Sequence, residues 1–145
     1  MQENPAVKKG REAPMKIQAF SFDGEGMNPV YKNGKWMVGI KNFKPANAIK
    51  NLDSLERHNK TDELFCLLEG SCTLIAANET KDGLAFEATV MERGTVYSIP
   101  AGLWHNTVTT PGTKMALIEA PDTGMDNSDV ISLSDAQREE IRSIY

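Results

Sequence analysis

The feature that most restricts how this chain can fold is the recurrence of two-residue turn signals. Asp23-Gly24, Asn33-Gly34, Glu69-Gly70, Asp82-Gly83, Arg93-Gly94, Ala101-Gly102 and Pro111-Gly112 punctuate the sequence. Much of this spacing is near the ~8–12 residues that separate turns in all-β sandwiches and barrels. Between the signals lie short strand-forming runs: Met15–Ser21, Lys35–Lys41, Glu63–Leu68, Cys72–Ala77, Leu84–Met91, Thr95–Ile99, Asn106–Thr110 and Lys114–Ala120. Several alternate. Trp36, Val38 and Ile40 share one strand face; Phe86, Ala88 and Val90 share another, with Glu87 and Thr89 opposite. One helix is expected, where Ser134 and Gln137 make a capping box and Ile141, Ile144 and Tyr145 fall on one side. The stretch Asn42–Leu55 contains Pro45 and no clean period, so it reads as loop with at most a turn of helix. The expected fold is all-β, a strand-rich barrel closed by a short C-terminal helix.

A chain of 145 residues is one domain on length alone. Residues 1–14, charged and holding Pro5, Gly10 and Pro14, read as a flexible arm ahead of a domain over 15–145. A content of 40% hydrophobic and 25% charged residues excludes global disorder. No apolar run approaches the ~20 residues of a membrane span, and the N-terminus lacks the apolar stretch of a secretory signal. Lys plus Arg number 16 against 20 Asp plus Glu, a net charge of −4 that argues against nucleic acid as a partner. The expectation is a cytoplasmic domain whose partner is a small molecule. Cys66 and Cys72 flank Glu69-Gly70; with those two residues as a hairpin tip, Cys66 faces Thr73, out of register for a bridge. Free thiols in a reducing compartment follow, and two cysteines without finger-like histidines exclude a structural zinc module.

The chain has only two histidines, His58 and His105. Glu56 and His58 are two apart, so on a strand they point the same way. Glu63, Phe65 and Leu67 share a face, with Leu64, Cys66 and Leu68 opposite; both faces read as buried. Glu63 thus ends an apolar stripe, where an ionised carboxylate is costly without a partner. His105, Thr107 and Thr109 share a face that continues from the Pro100-Ala101-Gly102 turn. Two paired sheets would bring His58, Glu63 and His105 together. Two imidazoles and a carboxylate suit iron(II) with positions open for substrate, and equally Mn²⁺, Ni²⁺ or Zn²⁺.

The segment from Gly94 to His105 resembles the second motif of the cupin superfamily, with Gly94, Pro100, Gly102 and His105 at its places; Thr109 stands where that motif has asparagine. The segment from Glu56 to Gly70 resembles the latter part of the first cupin motif, with His58, Glu63 and Gly70 matched. It departs from that motif at Lys50, in the place of the opening glycine, and at Glu56, in the place of the first histidine. Together with the tail after Ala120, these segments are similar to a branch of short bacterial cupins. The resemblance implies a single jelly-roll barrel, often paired as a homodimer through sheet edges. It also implies a ligand mouth holding a divalent metal on His58, Glu63, His105 and, as fourth ligand, Glu56. Two carboxylates with two imidazoles tilt the choice toward Mn²⁺ or Fe²⁺.

Other residues carry two readings. Trp104, Phe65, Tyr97 and Trp36 are core residues or pocket walls. Met115, Leu117 and Glu119 share a strand face, so Glu119 is either a further carboxylate inside the barrel or a strand-end group reaching water. Arg57 points away from His58 and reads as solvated. Asp122, Thr123, Asp126 and Asn127 read as a capped loop. Two functions follow. One is a metal-dependent enzyme (lyase, isomerase or oxygenase) on a polar metabolite such as a sugar or carboxylic acid, with Glu56 moving a proton if it is not a ligand and Trp104, Phe65, Thr107, Thr109 and Glu119 around the substrate. The other is a non-catalytic pocket, degenerate and metal-free, in which neighbouring carboxylates share protons.

Overall fold

The computed structural model describes residues 13–145, so the arm expected over residues 1–14 lies almost wholly outside the described residues. Ten strands and one α-helix follow in order: β1 (Gly26–Lys32), β2 (Met37–Asn42), β3 (Ser54–His58), β4 (Glu63–Glu69), β5 (Cys72–Thr80), β6 (Gly83–Val90), β7 (Val96–Ile99), β8 (Trp104–Thr109), β9 (Lys114–Glu119), β10 (Ser128–Ser132) and α1 (Asp135–Ile144). They form two five-stranded antiparallel sheets, β1-β2-β9-β4-β7 and β10-β3-β8-β5-β6. The sheets face one another as a flattened jelly-roll barrel that no hydrogen-bonded ladder closes.

Two separate cores result, because the second sheet is apolar on both faces. Between the sheets pack Met37, Phe65, Leu67, Cys72, Leu74, Met91, Ile99, Met115 and Leu117. On the outer face of the second sheet, Leu55, Ile75, Ala77, Trp104 and Val108 pack with Leu52, Leu133 and Ile141. Ile141 comes from α1, whose Ser134 cap and Gln137 reciprocate as the sequence predicts. Ile144 and Tyr145 do not join it; both remain substantially exposed.

Several expectations are corrected. Glu69-Gly70 is not a hairpin tip: β4 and β5 lie in different sheets, so the turn crosses between sheets and Cys66 never faces Thr73. Gly70 is required there, since it sits at φ 78° and a Cβ would come within 2.6 Å of the Thr113 backbone. Both thiols are free, and burial pushes that of Cys72 up to about 12, an inert thiol. The run Met15–Ser21 makes no strand; it is exposed and has no ladder among the described residues. On β2 the buried residues are Met37 and Gly39, not Trp36, Val38 and Ile40. A Cβ on Gly39 would lie 2.9 Å from the Met27 sulfur and 3.1 Å from Leu117, so glycine permits the close packing. On β4, Leu64 and Cys66 are half-buried and Leu68 exposed, so only the Glu63 face is fully inside. The stretch read as loop ends in β3, which pairs with β10, a strand that the sequence did not announce.

Candidate functional site

Strand alternation places ionisable groups at one end of the space between the sheets. On β4 the inward residues are Glu63, Phe65 and Leu67; on β9 they are Met115, Leu117 and Glu119. The first sheet therefore carries Glu63 and Glu119 side by side at the same end, fixed by the Leu64–Ile118 and Phe65–Leu117 register. From the second sheet, β8 sends His105, Thr107 and Thr109 inward, and β3 sends Glu56 and His58. Glu56 and His105 are direct cross-strand partners. The groups surround a cavity of about 230 Å³, with Met27, Phe65 and Leu117 as its apolar wall and Lys41, Asn106, Thr107 and Ser128 as polar neighbours.

Glu63 Oε1 is the focus. It lies 3.1 Å from His105 Nε2 and 3.4 Å from His58 Nε2. Glu56 Oε1 lies 3.9 Å from both ring nitrogens, and Glu119 Oε2 lies 3.9 Å from His58 Nε2. The rings sit edge to face, centroids 5.4 Å apart. Each is oriented from behind: His58 Nδ1 is 2.8 Å from Ser128 Oγ, and His105 Nδ1 is 2.9 Å from the Leu103 carbonyl. A carbonyl only accepts, so His105 carries its proton on Nδ1. The Nε2 of the neutral ring then presents a lone pair toward a carboxylate oxygen. That arrangement calls for a proton or a cation between them. His58 Nε2 and Glu119 Oε2 are buried without a hydrogen-bond partner. The donor set thus fits a divalent ion: imidazoles fixed by hydrogen bonds at the far nitrogen, carboxylates converging, and buried lone pairs left open. Two overlapping groups that share His58 could hold it, Glu56–His58–His105 and His58–Glu63–Glu119, and the set expected from the sequence (His58, Glu63, His105 and Glu56) draws on both.

Charge follows the same geometry. Burial pushes Glu63 upward, but the two imidazoles and the Glu119 carboxyl bonded to it outweigh that and hold it well below the usual carboxylate range. Burial and the neighbouring Glu63 charge push Glu119 up to about 8, so it is protonated near neutral pH. The Glu63 carboxylate raises His58 above its ordinary value against the opposing effect of burial.

Of the residues expected at the site, Glu56, His58, Glu63, Phe65, His105, Thr107 and Glu119 line one cavity. Glu119 is inside the barrel and does not reach water freely. Trp104 is not there: it occupies the opposite face of β8, in the outer core, with its Nε1 donating to Glu79 at 3.1 Å and Arg57 stacked 4.4 Å from its ring. Adjacent residues on a strand point to opposite faces, so His105 inside requires Trp104 outside. Thr109 faces inward but lies deeper, buried and away from the cavity wall. Trp36 is 45% exposed, before β2 begins, and Tyr97 packs at the edge of the inner core. Arg57 points away from His58 as expected; it keeps about a third of its side chain exposed, and its Nε donates to Asp129 at 2.8 Å. Lys41, Met27, Leu117, Asn106 and Ser128 were not anticipated. Lys41 shares the Met37, Gly39, Lys41 alternation, which marks it once the inner face of β2 is known; Ser128 had no local signal. Thr123, Gly124 and Met125, within the turn read as a capped loop, form part of the cavity rim.

Against known structures, a variant of Pac13 from Streptomyces with uridine aligns with a TM-score of 0.56, at 9% identity over 87% of this chain and 98% of that one. Pac13 is described as a nucleoside dehydratase with a β-barrel structure. A Bacillus halodurans protein aligns with a TM-score of 0.51, at 21% identity over 69% of this chain and 73% of that one. No protein-family profile matches the chain, and no curated protein matches it in sequence. The structural likenesses show the fold, a β-barrel of the kind described for Pac13.

Proposed function

We propose that this chain holds a divalent first-row metal on His58, Glu63, His105 and Glu56 and acts on a small polar metabolite in the cavity beside them. The observation that carries the reading is the pair of Nε2 atoms aimed at one carboxylate oxygen, with His58 Nε2 buried and unpartnered. A metal bound there supplies Lewis-acid polarisation of a substrate oxygen. The chain's own groups divide the remaining work. The protonated Glu119 carboxyl is a proton donor facing the cavity. Glu56, its side chain 41% exposed at the mouth, exchanges protons with solvent if it is not a ligand. Met27, Phe65 and Leu117 exclude water from the inner wall. Lyase, isomerase and oxygenase chemistry are all compatible with such a set, and fold alone does not choose among them.

A second reading rests on the Glu63–His105 hydrogen bond at 3.1 Å, which protonation of His105 would complete without a metal. The cavity then binds a metabolite without catalysing its conversion. One experiment separates the two. Protein purified without chelator is expected to contain a first-row metal near one per chain, lost in His58→Ala and His105→Ala. Mn²⁺, Fe²⁺, Ni²⁺ or Zn²⁺ at 100 times Kd is expected to raise stability by about 2.7 kcal/mol. An empty site together with an unchanged Tm for all four ions would leave the metal-free pocket.

We further propose a cytoplasmic homodimer. The free thiols suit a reducing compartment, and the outer face of the first sheet exposes Ile118, Leu68 and Val96, an apolar surface for a second copy. Light scattering at twice the monomer mass is the expected result. No helix among the described residues is long and apolar enough to cross a membrane.

A further inference from the structure

We propose that Lys41 is the anion-recognition residue of the cavity and that the ligand is a small carboxylate, a proposal that rests on reading His58, Glu63 and His105 as metal-holding residues. Lys41 follows Met37 and Gly39 on the inward face of β2 and lines the same cavity as Glu56, His58, Glu63 and His105. It also lines a second cavity of about 180 Å³, which shares Glu56 and Asn106 with the first.

Lys41 has no counterpart of its own. Among the described residues no carboxylate lies within 4.0 Å of its Nζ, and no hydrogen bond from Nζ is formed. Burial lowers its pKa against the pull of the more distant Glu63 and Glu56. A partly desolvated ammonium without a partner is costly unless an anion arrives. The acids whose charge acts on it, Glu63 and Glu56, are among those that would hold the metal. The amide and hydroxyl of Asn106 and Ser128 are already engaged. Asn106 Nδ2 donates to the Ser54 carbonyl, Asn106 Oδ1 accepts from the Thr107 amide, and Ser128 Oγ is bonded to His58. Among the described residues Lys41 is the one ammonium donor on that wall, and Met27, Phe65 and Leu117 would meet a ligand's carbon skeleton. A carboxylate fits better than a phosphate. No arginine lines the cavity, and phosphate sites usually gather guanidinium forks or several backbone amides.

The test compares lactate with its neutral isostere lactamide, titrated calorimetrically into Mn²⁺-loaded protein. The wild type is expected to prefer lactate by about tenfold or more, the scale of one charged hydrogen bond. Lys41→Met is expected to abolish that preference while binding Mn²⁺ at least as tightly as the wild type, and Lys41→Arg to restore part of it. A preference that survives in Mn²⁺-loaded Lys41→Met would overturn the proposal, as would equal binding of lactate and lactamide to the wild type. Inorganic phosphate binding more tightly than lactate would overturn the ligand class. Failure of the wild type to bind Mn²⁺ is a different signature; it removes the metal reading and this inference with it. Should Lys41→Met fold poorly, Lys41→Gln carries the same comparison.

Discussion

The two faces of β8 make an instructive pair. Outward, Trp104 and Val108 enter a core of Leu55, Ile75, Ala77 and Ile141, and the polar tip of Trp104, Nε1, reaches Glu79. Inward, on the same six residues, His105 and Thr107 face a cavity where His58 Nε2 and Glu119 Oε2 lack hydrogen-bond partners. One face is built to exclude water with its polar groups satisfied. The other concentrates acids and imidazoles at one end and leaves them open. Burial of unsatisfied charge costs stability, so its retention marks the inner end as the working region.

Mutations should separate the two faces. The largest effect belongs to the outer core: Trp104→Ala is expected to cost about 3–5 kcal/mol in urea unfolding while leaving metal content at the wild-type stoichiometry. If Trp104→Ala removed the metal at unchanged stability, the two faces would not be independent. Next, His105→Ala is expected to weaken Mn²⁺ binding by about 100-fold or more in equilibrium dialysis, with a modest change in stability of the metal-free protein.

The third effect is electrostatic and concerns chelator-treated protein. Glu119 ionises near 8 in the folded state and near 4.5 in the unfolded chain, so the unfolded state gains its charge first. Its penalty on folding is absent below about pH 4.5, grows with rising pH, and levels off above about pH 8. Glu119→Gln should therefore leave stability unchanged at pH 4 and raise it by about 1–3 kcal/mol at pH 8. A melting curve equally stabilised at both pH values would show the gain to be packing. His58 acts in the same direction in the wild type: its raised pKa stabilises the fold below the ordinary 6.5 and that stabilisation fades as pH climbs past the raised value. The smallest effect belongs to Glu56. At 41% side-chain exposure and 3.9 Å from both rings, Glu56→Gln is expected to weaken Mn²⁺ binding by no more than about tenfold. A loss as large as that of His105→Ala would make Glu56 an indispensable ligand.

Much of this was legible in the chain. Period-two alternation grouped Glu63, Phe65 and Leu67 on one face and His105, Thr107 and Thr109 on another, and it put Glu119 on the face of Met115 and Leu117. Where it failed, a neighbour decided. On β2 alternation grouped Val38 and Ile40 on one face but did not say which face is inside; the tight approach of Leu117 and Met27 put Gly39 there. Strand β10 was invisible, since Ser128–Ser132 is too polar to announce itself and exists by pairing with β3.

By itself, the sequence determined local matters: the turn positions, most of the strand runs, the capped helix, and which residues on one strand share a side. Those follow from steric preferences and from the pleat, which act over a few residues. Only the tertiary structure decided which strands share a sheet, that Glu69-Gly70 crosses between sheets, and that Lys41 stands beside the carboxylates. These depend on contacts between segments tens of residues apart, and no local periodicity encodes them.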